Sequence, residues 1–302
     1  MGWTVIEMWA LFAIFATVLW CCGNIIDKHV FGDNLRKPVI GLIVFSFIGL
    51  IFSTVIFGYN FESMSLLHIA LCFMVGFFFI FGFYFYIKSL TIEEVSRVIP
   101  LFYVGPVLTL ILATIFLGET FVPLQYVGIT LLISGAILVS VRFGQNITFS
   151  KVFWFMMGAA FSVSMGMIII RYLLTNGEDF LTVFAYTRLG LFLFMIPIIL
   201  LYASQFRETV KKHGKKAIGF MSASATFNLG ASIAIFTALS FAGGYASLVS
   251  ALTAVQPLFI LIFATIISFY YPKILQEELK GSVIAIKVAA IVLIIIGAFL
   301  II

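Results

Sequence analysis

Apolar runs of about 20 residues recur along the whole chain, and only short polar stretches separate them. An α-helix needs a run of about this length to cross the hydrocarbon core of a bilayer, whereas a β-barrel strand needs about 10 residues of alternating polarity. Because lipid offers the backbone no hydrogen-bond partners, only helices and closed barrels span membranes. The pattern predicts an all-α integral membrane protein, multi-pass in the cell membrane (plasma or inner membrane).

Composition and span number leave no room for a soluble domain. Hydrophobic residues make up 63% and charged residues 10% of the 302 residues, which lies outside the range of soluble domains. Ten transmembrane helices account for the apolar runs, at residues 8–28, 38–57, 66–90, 95–117, 123–141, 152–174, 180–202, 217–239, 245–269 and 281–302.

Prolines mark two helix starts and one interruption. Pro38 and Pro123 each precede a long apolar run, where a proline can begin a helix without losing a hydrogen bond. Pro106 follows Gly105 in the middle of the fourth run, and we expect the helix to be loosened or kinked there because proline lacks the N–H group and its ring clashes with the preceding turn. The residues 207–216 form the only strongly basic loop that we predict, between the seventh and eighth spans.

The chain repeats itself. Setting Ser96 on Ser247 brings Pro106 onto Pro257 without a gap. Residues 132–136 match 294–298, Gly23 falls on Gly166, and Lys28 falls on Arg171. We therefore predict two five-helix repeats, residues 1–145 and 146–302. Five is an odd number, so the second repeat must enter the membrane from the opposite side, which is the inverted duplication of many secondary transporters.

At the level of motifs the chain resembles the drug/metabolite transporter superfamily, most closely its EamA branch. The motifs are Ser89, Leu90, Ser96, Pro100, Pro106, Leu117-Gly118-Glu119, Gln125, Gly128 and Gly135, with a weaker echo in Ala238, Leu239, Ser247, Pro257 and Gly297. The resemblance implies a ten-helix carrier that moves small metabolites by alternating access. It further implies that the first, third and fourth helices of each half line the cavity and that the fifth helices join the halves.

Two features depart from the resemblance. The second copy has Ser268-Phe269-Tyr270 in place of the Leu-Gly-Glu turn, so a role of Glu119 is not duplicated. The basic residues fall almost wholly in the odd-numbered loops, which by the positive-inside rule places both termini outside. The family habit is that both termini are cytoplasmic, so the two arguments conflict.

Ionisable and polar residues inside the spans are the candidates for substrate binding, because such groups are costly in a membrane. Trp20, Asn24 and Lys28 share one face of the first span, where Lys28 could instead snorkel to the interface and pair with Asp27. Ser164 and Arg171 share a face of the sixth span. Arg171, as the repeat mate of Lys28, would present a second cation to a substrate.

Other candidates carry an alternative structural interpretation. Arg97 could bind substrate or form a salt bridge with Glu93 and Glu94, and Arg188 could contact a ligand or pair with Glu178 or Asp179. The remaining predicted substrate-binding residues are Tyr84, Tyr103, Ser224, Asn228, Thr253 and Gln256, and the predicted hinges are Pro106 and Pro257. Uncharged side chains of this kind also join helices to one another.

We interpret the chain as a secondary transporter and not an enzyme. Because cationic candidates outnumber acids, we predict a small substrate that carries a carboxylate or phosphate, such as an amino acid, organic acid or sugar phosphate. A coupling proton or ion is left open. We expect no cofactor, metal site or nucleic-acid partner, and a monomer or homodimer. The alternatives are an uptake carrier for neutral sugars and a non-transporting scaffold or lipid-handling subunit, which would need no cavity.

Overall fold

A computed structural model describes residues 5–27, 30, 38–59, 62–92, 98, 101–102, 104–140, 151–241, 245–256, 258–260, 262–263 and 281–301. The elements with defined bounds in these ranges are all helices: α1 (Val5–Asp27), α2 (Pro38–Tyr59), α3 (Leu66–Leu90), α4 (Gly105–Leu117), α5 (Pro123–Ser140), α6 (Lys151–Thr175), α7 (Phe180–Ser240), α8 (Ala246–Thr253) and α9 (Gly281–Ile301). Within them, six helical segments are long and apolar enough to cross a membrane. The protein is therefore an all-α, multi-pass membrane protein.

Local sequence signals set most helix ends where we predicted them. Helices α2 and α5 begin at Pro38 and Pro123. Asp179 caps α7, where its carboxylate accepts a hydrogen bond from the Thr182 N–H at 3.0 Å. Helix α4 ends at Gly118, whose φ of 64° lies in the left-handed region that glycine adopts without strain.

The interruption at Gly105-Pro106 is a helix start and not a kink inside one helix. Residues 101–102 are helical, Val104 lies in a turn, and α4 begins at Gly105 with Pro106 in its first turn. A proline in the first turn costs no hydrogen bond, because the first N–H groups of a helix have no partner within it. The fourth run is therefore interrupted at this pair, as we predicted, and the interruption is a turn before α4.

The basic stretch at residues 207–216 is helical, so the predicted loop is wrong. Helix α7 includes both the seventh and the eighth predicted spans. A straight helix would hold Phe184 and Phe236 about 78 Å apart, yet their ring centroids are 5.4 Å apart. Helix α7 therefore doubles back on itself, and its two membrane-spanning parts are Phe180–Lys211 and Lys216–Ser240.

The helices pack in defined pairs. Helix α1 lies against the Lys216–Ser240 part of α7, and α2 lies against the Phe180–Lys211 part. Helix α3 contacts α6 and the Phe180–Lys211 part of α7. Helix α4 contacts α6 and α8, and α5 packs on α9. This arrangement surrounds a cavity that is lined from several sides.

Glycines bring α3 and α7 into backbone contact. A Cβ atom on Gly76 would lie 2.4 Å from Leu191 N and 2.7 Å from Thr187 O, and one on Gly190 would lie 2.6 Å from Phe73 Cα. Small residues of this kind let membrane helices approach closely. The crossing fixes the position of Arg188, which lies two residues before Gly190 on α7.

We expect Gly76→Ala to lower the thermal stability of the purified protein in detergent. The methyl group must push two backbones apart, and such overpacking costs about 1–3 kcal/mol. The control is Gly219→Ala, which makes the same change in a helix where a Cβ meets nothing within 4 Å. Equal unfolding temperatures for the two variants would contradict the proposed crossing.

Candidate functional site

A cavity of about 200 Å³ lies among the helices. Its lining comes from all six spans that we expected to contribute, and also from α2 and from the first part of α7. The lining residues are Trp20, Asn24, Phe45, Phe79, Gly82, Phe83, Tyr86, Phe102, Gly105, Pro106, Thr109, Ala160, Val163, Ser164, Met167, Ile170, Arg188, Asn228, Ser232, Ile235, Phe236, Ser250, Thr253 and Gln256. The surface is therefore mostly apolar and aromatic, with a few polar groups.

Arg188 is the charged residue of this lining, and the described lining residues include no Asp or Glu. The side chain is 1% exposed. Its Nε and Nη2 atoms are buried and have no hydrogen-bond partner within the described part of the chain. A buried cation with unused N–H groups is costly unless something binds it.

Aromatic rings hold the guanidinium in place. The Arg188 Cζ atom lies 4.8 Å from the ring centroid of Phe184, 5.4 Å from that of Phe45 and 5.7 Å from that of Phe79. Cation–π contacts of this kind stabilise the charge and leave the N–H donors unused. The arrangement presents a fixed positive charge in a largely apolar cavity.

Arg188 does not form the structural pair that was our alternative. Glu178 pairs with His68 Nδ1, and Asp179 caps α7 through Thr182. Both acids lie at the start of α7, more than two turns before Arg188. The pairing interpretation is wrong because both carboxylates bind other groups, His68 and the first turn of α7.

A chain of hydroxyl groups crosses the cavity wall at the start of α4. Ser250 Oγ lies 3.1 Å from Thr109 Oγ1, which lies 2.9 Å from Ser164 Oγ. Ser164 donates to the Gly105 carbonyl at 3.1 Å. The chain joins α4 to α6 and α8, so Ser164 both lines the cavity and holds helices together.

Six other predicted residues can be placed at the cavity. Trp20, Asn24, Asn228, Thr253, Gln256 and Pro106 line it. Tyr86, which we did not predict, has its hydroxyl 3.5 Å from Asn24 Oδ1. Thr253 donates its hydroxyl hydrogen to the Ser250 carbonyl at 2.6 Å. The face of α1 that carries Trp20 and Asn24 is therefore a cavity face, as we expected from their spacing.

Three predicted residues lie away from the cavity lining. Arg171 donates from Nη1 to the carbonyls of Leu239 and Phe241, at the C-terminal end of α7, and its Cζ lies 5.6 Å from the Tyr245 ring centroid. Tyr84 packs in a cluster of apolar side chains from α2, α3 and α7. Ser224 donates to Asp27 Oδ1. Lys28, Arg97, Tyr103 and Pro257 lie outside the described residues.

Glu119 joins the turn after α4 to the start of α8. Its Oε1 accepts from the Ala246 N–H at 2.8 Å, and its Oε2 accepts from the N–H and the hydroxyl of Ser247. The carboxylate is 5% exposed. Tyr245 at the N-cap makes no side-chain capping bond, so a distant acid caps α8 and offsets its dipole.

Comparisons with known proteins agree with this architecture. Residues 7–141 match the EamA-like transporter family. No curated protein matches the chain. One crystal structure, whose chain is 13% identical, superposes with a TM-score of 0.66 over 97% of this chain and 95% of its own. The two chains share a fold over nearly their whole lengths.

Proposed function

We propose that the chain is a member of the drug/metabolite transporter superfamily, which the match of residues 7–141 to the EamA-like transporter family supports, and that it transports small anionic metabolites. Members of that superfamily are membrane transporters of small molecules and not enzymes. The proposal adds the substrate class to this general activity. Amino acids, organic acids and sugar phosphates are the substrates that we consider.

The buried charge of Arg188 is the observation that carries the proposal. The guanidinium lies in the cavity lining, and the described lining residues hold no acid that could balance it. A carboxylate or phosphate would accept hydrogen bonds from the planar donors of arginine and neutralise the charge. The rings that surround Arg188 exclude water, which strengthens that interaction.

Cavity size and lining favour a small substrate with an apolar part. The volume of about 200 Å³ lies below the range of roughly 300–1,000 Å³ that is typical of sites for drug-sized ligands. Asn24, Asn228 and Gln256 add neutral hydrogen-bonding groups to the cavity lining. Such groups fix the orientation of a ligand whose charge Arg188 holds.

We further propose that the two halves, residues 1–145 and 146–302, are inverted repeats, and contacts between α5 and α9 support this. A Cβ on Gly135 would meet Ile294 and the Ala290 carbonyl, and a Cβ on Gly297 would meet Leu132 and the Gly128 carbonyl. The two sets of contacts correspond residue by residue, because adding 162 to 135, 132 and 128 gives 297, 294 and 290. Reciprocal contacts between antiparallel helices are what a two-fold axis perpendicular to them produces.

The cavity lining supports the same proposal. The two proposed repeats can be aligned by adding 143 to the residue numbers of the first two helices, 149 to those of the third and 151 to those of the fourth. In this alignment many lining residues of the first repeat correspond to lining residues of the second. The pairs are Trp20 and Val163, Asn24 and Met167, Phe45 and Arg188, Phe79 and Asn228, Phe83 and Ser232, Tyr86 and Ile235, Phe102 and Thr253, and Gly105 and Gln256. A substrate site between the two halves is the usual arrangement in such transporters.

The helix interruptions supply candidate hinges for alternating access. Val104 lies in a turn before α4, and Ala254 and Val255 lie in a turn after α8. Val104 and Val255 are mates under the 151-residue offset, next to Pro106 and Pro257. A few residues at element ends can absorb the dihedral changes of such a motion.

Thermal stability in detergent tests the substrate class. We expect anions to raise the unfolding temperature more than their neutral partners do, in pairs such as lactate and lactamide or glucose 6-phosphate and glucose. A ligand at a hundredfold excess over its Kd stabilises the folded state by about 2.7 kcal/mol. Cationic drugs serve as a charge control. Equal shifts for the neutral and anionic members of every pair would overturn the proposed substrate class.

A further inference from the structure

A second, smaller cavity of about 10 Å³ adjoins the end of α1 and holds Asp27. Phe45, Phe83 and Asn228 line both this cavity and the larger one, so the two are neighbours. The Asp27 side chain is 3% exposed. The volume suits an occupant no larger than one water molecule.

The two carboxylate oxygens of Asp27 differ in their hydrogen bonding within the described residues. Oδ1 accepts from the Ser224 hydroxyl at 2.6 Å. Oδ2 is buried and has no hydrogen-bond partner in the described ranges. An ionised carboxylate offers about four acceptor sites, and leaving a buried oxygen without a donor is costly. A proton bound to Oδ2 would supply an O–H group there and cancel the charge.

Few charged groups face Asp27 from the helices that pack against it. Helix α3 contributes Tyr86, whose phenol lies near Asn24. Helix α2 contributes Gly41 and Phe45, and the second part of α7 contributes Met221, Ser224, Ala225 and Asn228, none of which titrates. Lys28 and His29, which follow Asp27 in sequence, lie outside the described residues.

Two routes connect Asp27 to the larger cavity. Asn228 Nδ2 lies 3.2 Å from Ser224 Oγ, which in turn binds Asp27. The Phe45 ring, whose centroid is 5.4 Å from the Arg188 Cζ atom, also lines the Asp27 cavity. Asn228 and Phe45 therefore link the surroundings of Asp27 to the cavity that holds Arg188, in a region of low dielectric where charges interact over longer distances than in water.

We propose that Asp27 is a proton-binding site that is coupled to anion binding at Arg188. This inference rests on the proposed function of the larger cavity. An ionised Asp27 balances part of the Arg188 charge, whereas a proton on Oδ2, taken from the aqueous phase, leaves that charge to the substrate. The protonated form therefore binds anions more tightly, and by linkage the bound anion favours the proton. The anion and the proton cross the membrane together.

Infrared spectroscopy of the purified protein tests the site without any ligand. We expect a C=O band of a protonated carboxylic acid that disappears as pH rises. The band should be missing in Asp27→Asn, present in Asp27→Glu and unchanged in Glu62→Gln, which neutralises an exposed acid. A wild-type band that persists in Asp27→Asn, or no titrating band between pH 4 and 9, would overturn the proposal.

Anion affinity tests the coupling. The probe is methanesulfonate, whose charge is constant from pH 5 to 8, together with the most stabilising anion of the panel. We expect Kd to rise by up to tenfold per pH unit in the wild type, the limit for one linked proton. In Asp27→Asn, Kd should stay at its acidic value at every pH. The same pH dependence in that variant, or a response to Na⁺ in place of pH, would overturn the coupling.

The outcomes separate the two proposals. If anions bind with one affinity at every pH, the coupling fails and the anion transporter stands. If the Asp27 band titrates but no anion binds, the anion transporter fails and the coupling fails with it.

Discussion

Replacing Arg188 with methionine is expected to weaken anion binding strongly and to leave the folded protein at least as stable as the wild type. The guanidinium is the charge that we assign to the substrate anion, and its loss leaves that anion without a partner. Truncating one member of a buried charge pair costs about 2–5 kcal/mol, which lowers affinity roughly 30-fold or more. Stability should not fall, because two buried nitrogens of Arg188 have no hydrogen bond to the described residues of the unliganded protein.

Binding and unfolding should both be measured on the same preparations. Thermal unfolding in detergent reports stability, and the ligand-induced shift reports affinity. Arg207→Met is the matched control, since it removes an exposed arginine from the same helix. Arg188→Lys keeps the charge without the planar donors, so we expect an intermediate affinity. An Arg188→Met protein that binds anions like the wild type would contradict the assignment of the site.

Replacing Glu119 with alanine is expected to destabilise the protein by about 3 kcal/mol or more, since hydrogen bonds to a charged group contribute about 1.5–3 kcal/mol each. The change leaves the Ala246 and Ser247 N–H groups without their acceptor. It also removes the negative charge from the N-terminus of α8. Chemical denaturation in detergent, followed by tryptophan fluorescence, measures the loss.

Two variants separate this capping role from general effects of losing an acid. Glu119→Gln keeps one acceptor oxygen and should lose less stability than Glu119→Ala. Glu62→Ala removes an exposed glutamate ahead of α3 and should unfold like the wild type. If Glu119→Ala also unfolds like the wild type, the carboxylate does not hold α8 in the way that its contacts indicate.

Local patterns in the sequence were sufficient to predict a multi-pass helical membrane protein. Apolar length gave most of the spans, and the helix starts at Pro38 and Pro123 are confirmed. Trp20 and Asn24, which helix periodicity puts on one face of α1, both line the cavity. These features depend on neighbours a few residues away, which a single sequence displays directly.

Contacts between distant residues account for what the sequence did not predict. Arg188 had two nearby acids as plausible partners, and only the folded chain shows that His68 and the start of α7 use them. Arg171 has the polarity of a cavity residue, but it binds carbonyls of a segment about 70 residues later. The basic residues 207–216 suggested a loop because charge predicts exposure, which does not exclude a helix.

Transport by the purified protein in liposomes tests the central claim most directly. The liposomes are loaded with the most stabilising anion of the panel, and exchange of labelled anion is compared with that of its neutral partner. We predict exchange of the anion, little exchange of the neutral compound, and loss of anion exchange in Arg188→Met. Equal exchange of both compounds by the wild type, or wild-type exchange by Arg188→Met, would contradict an anion transporter that works through Arg188.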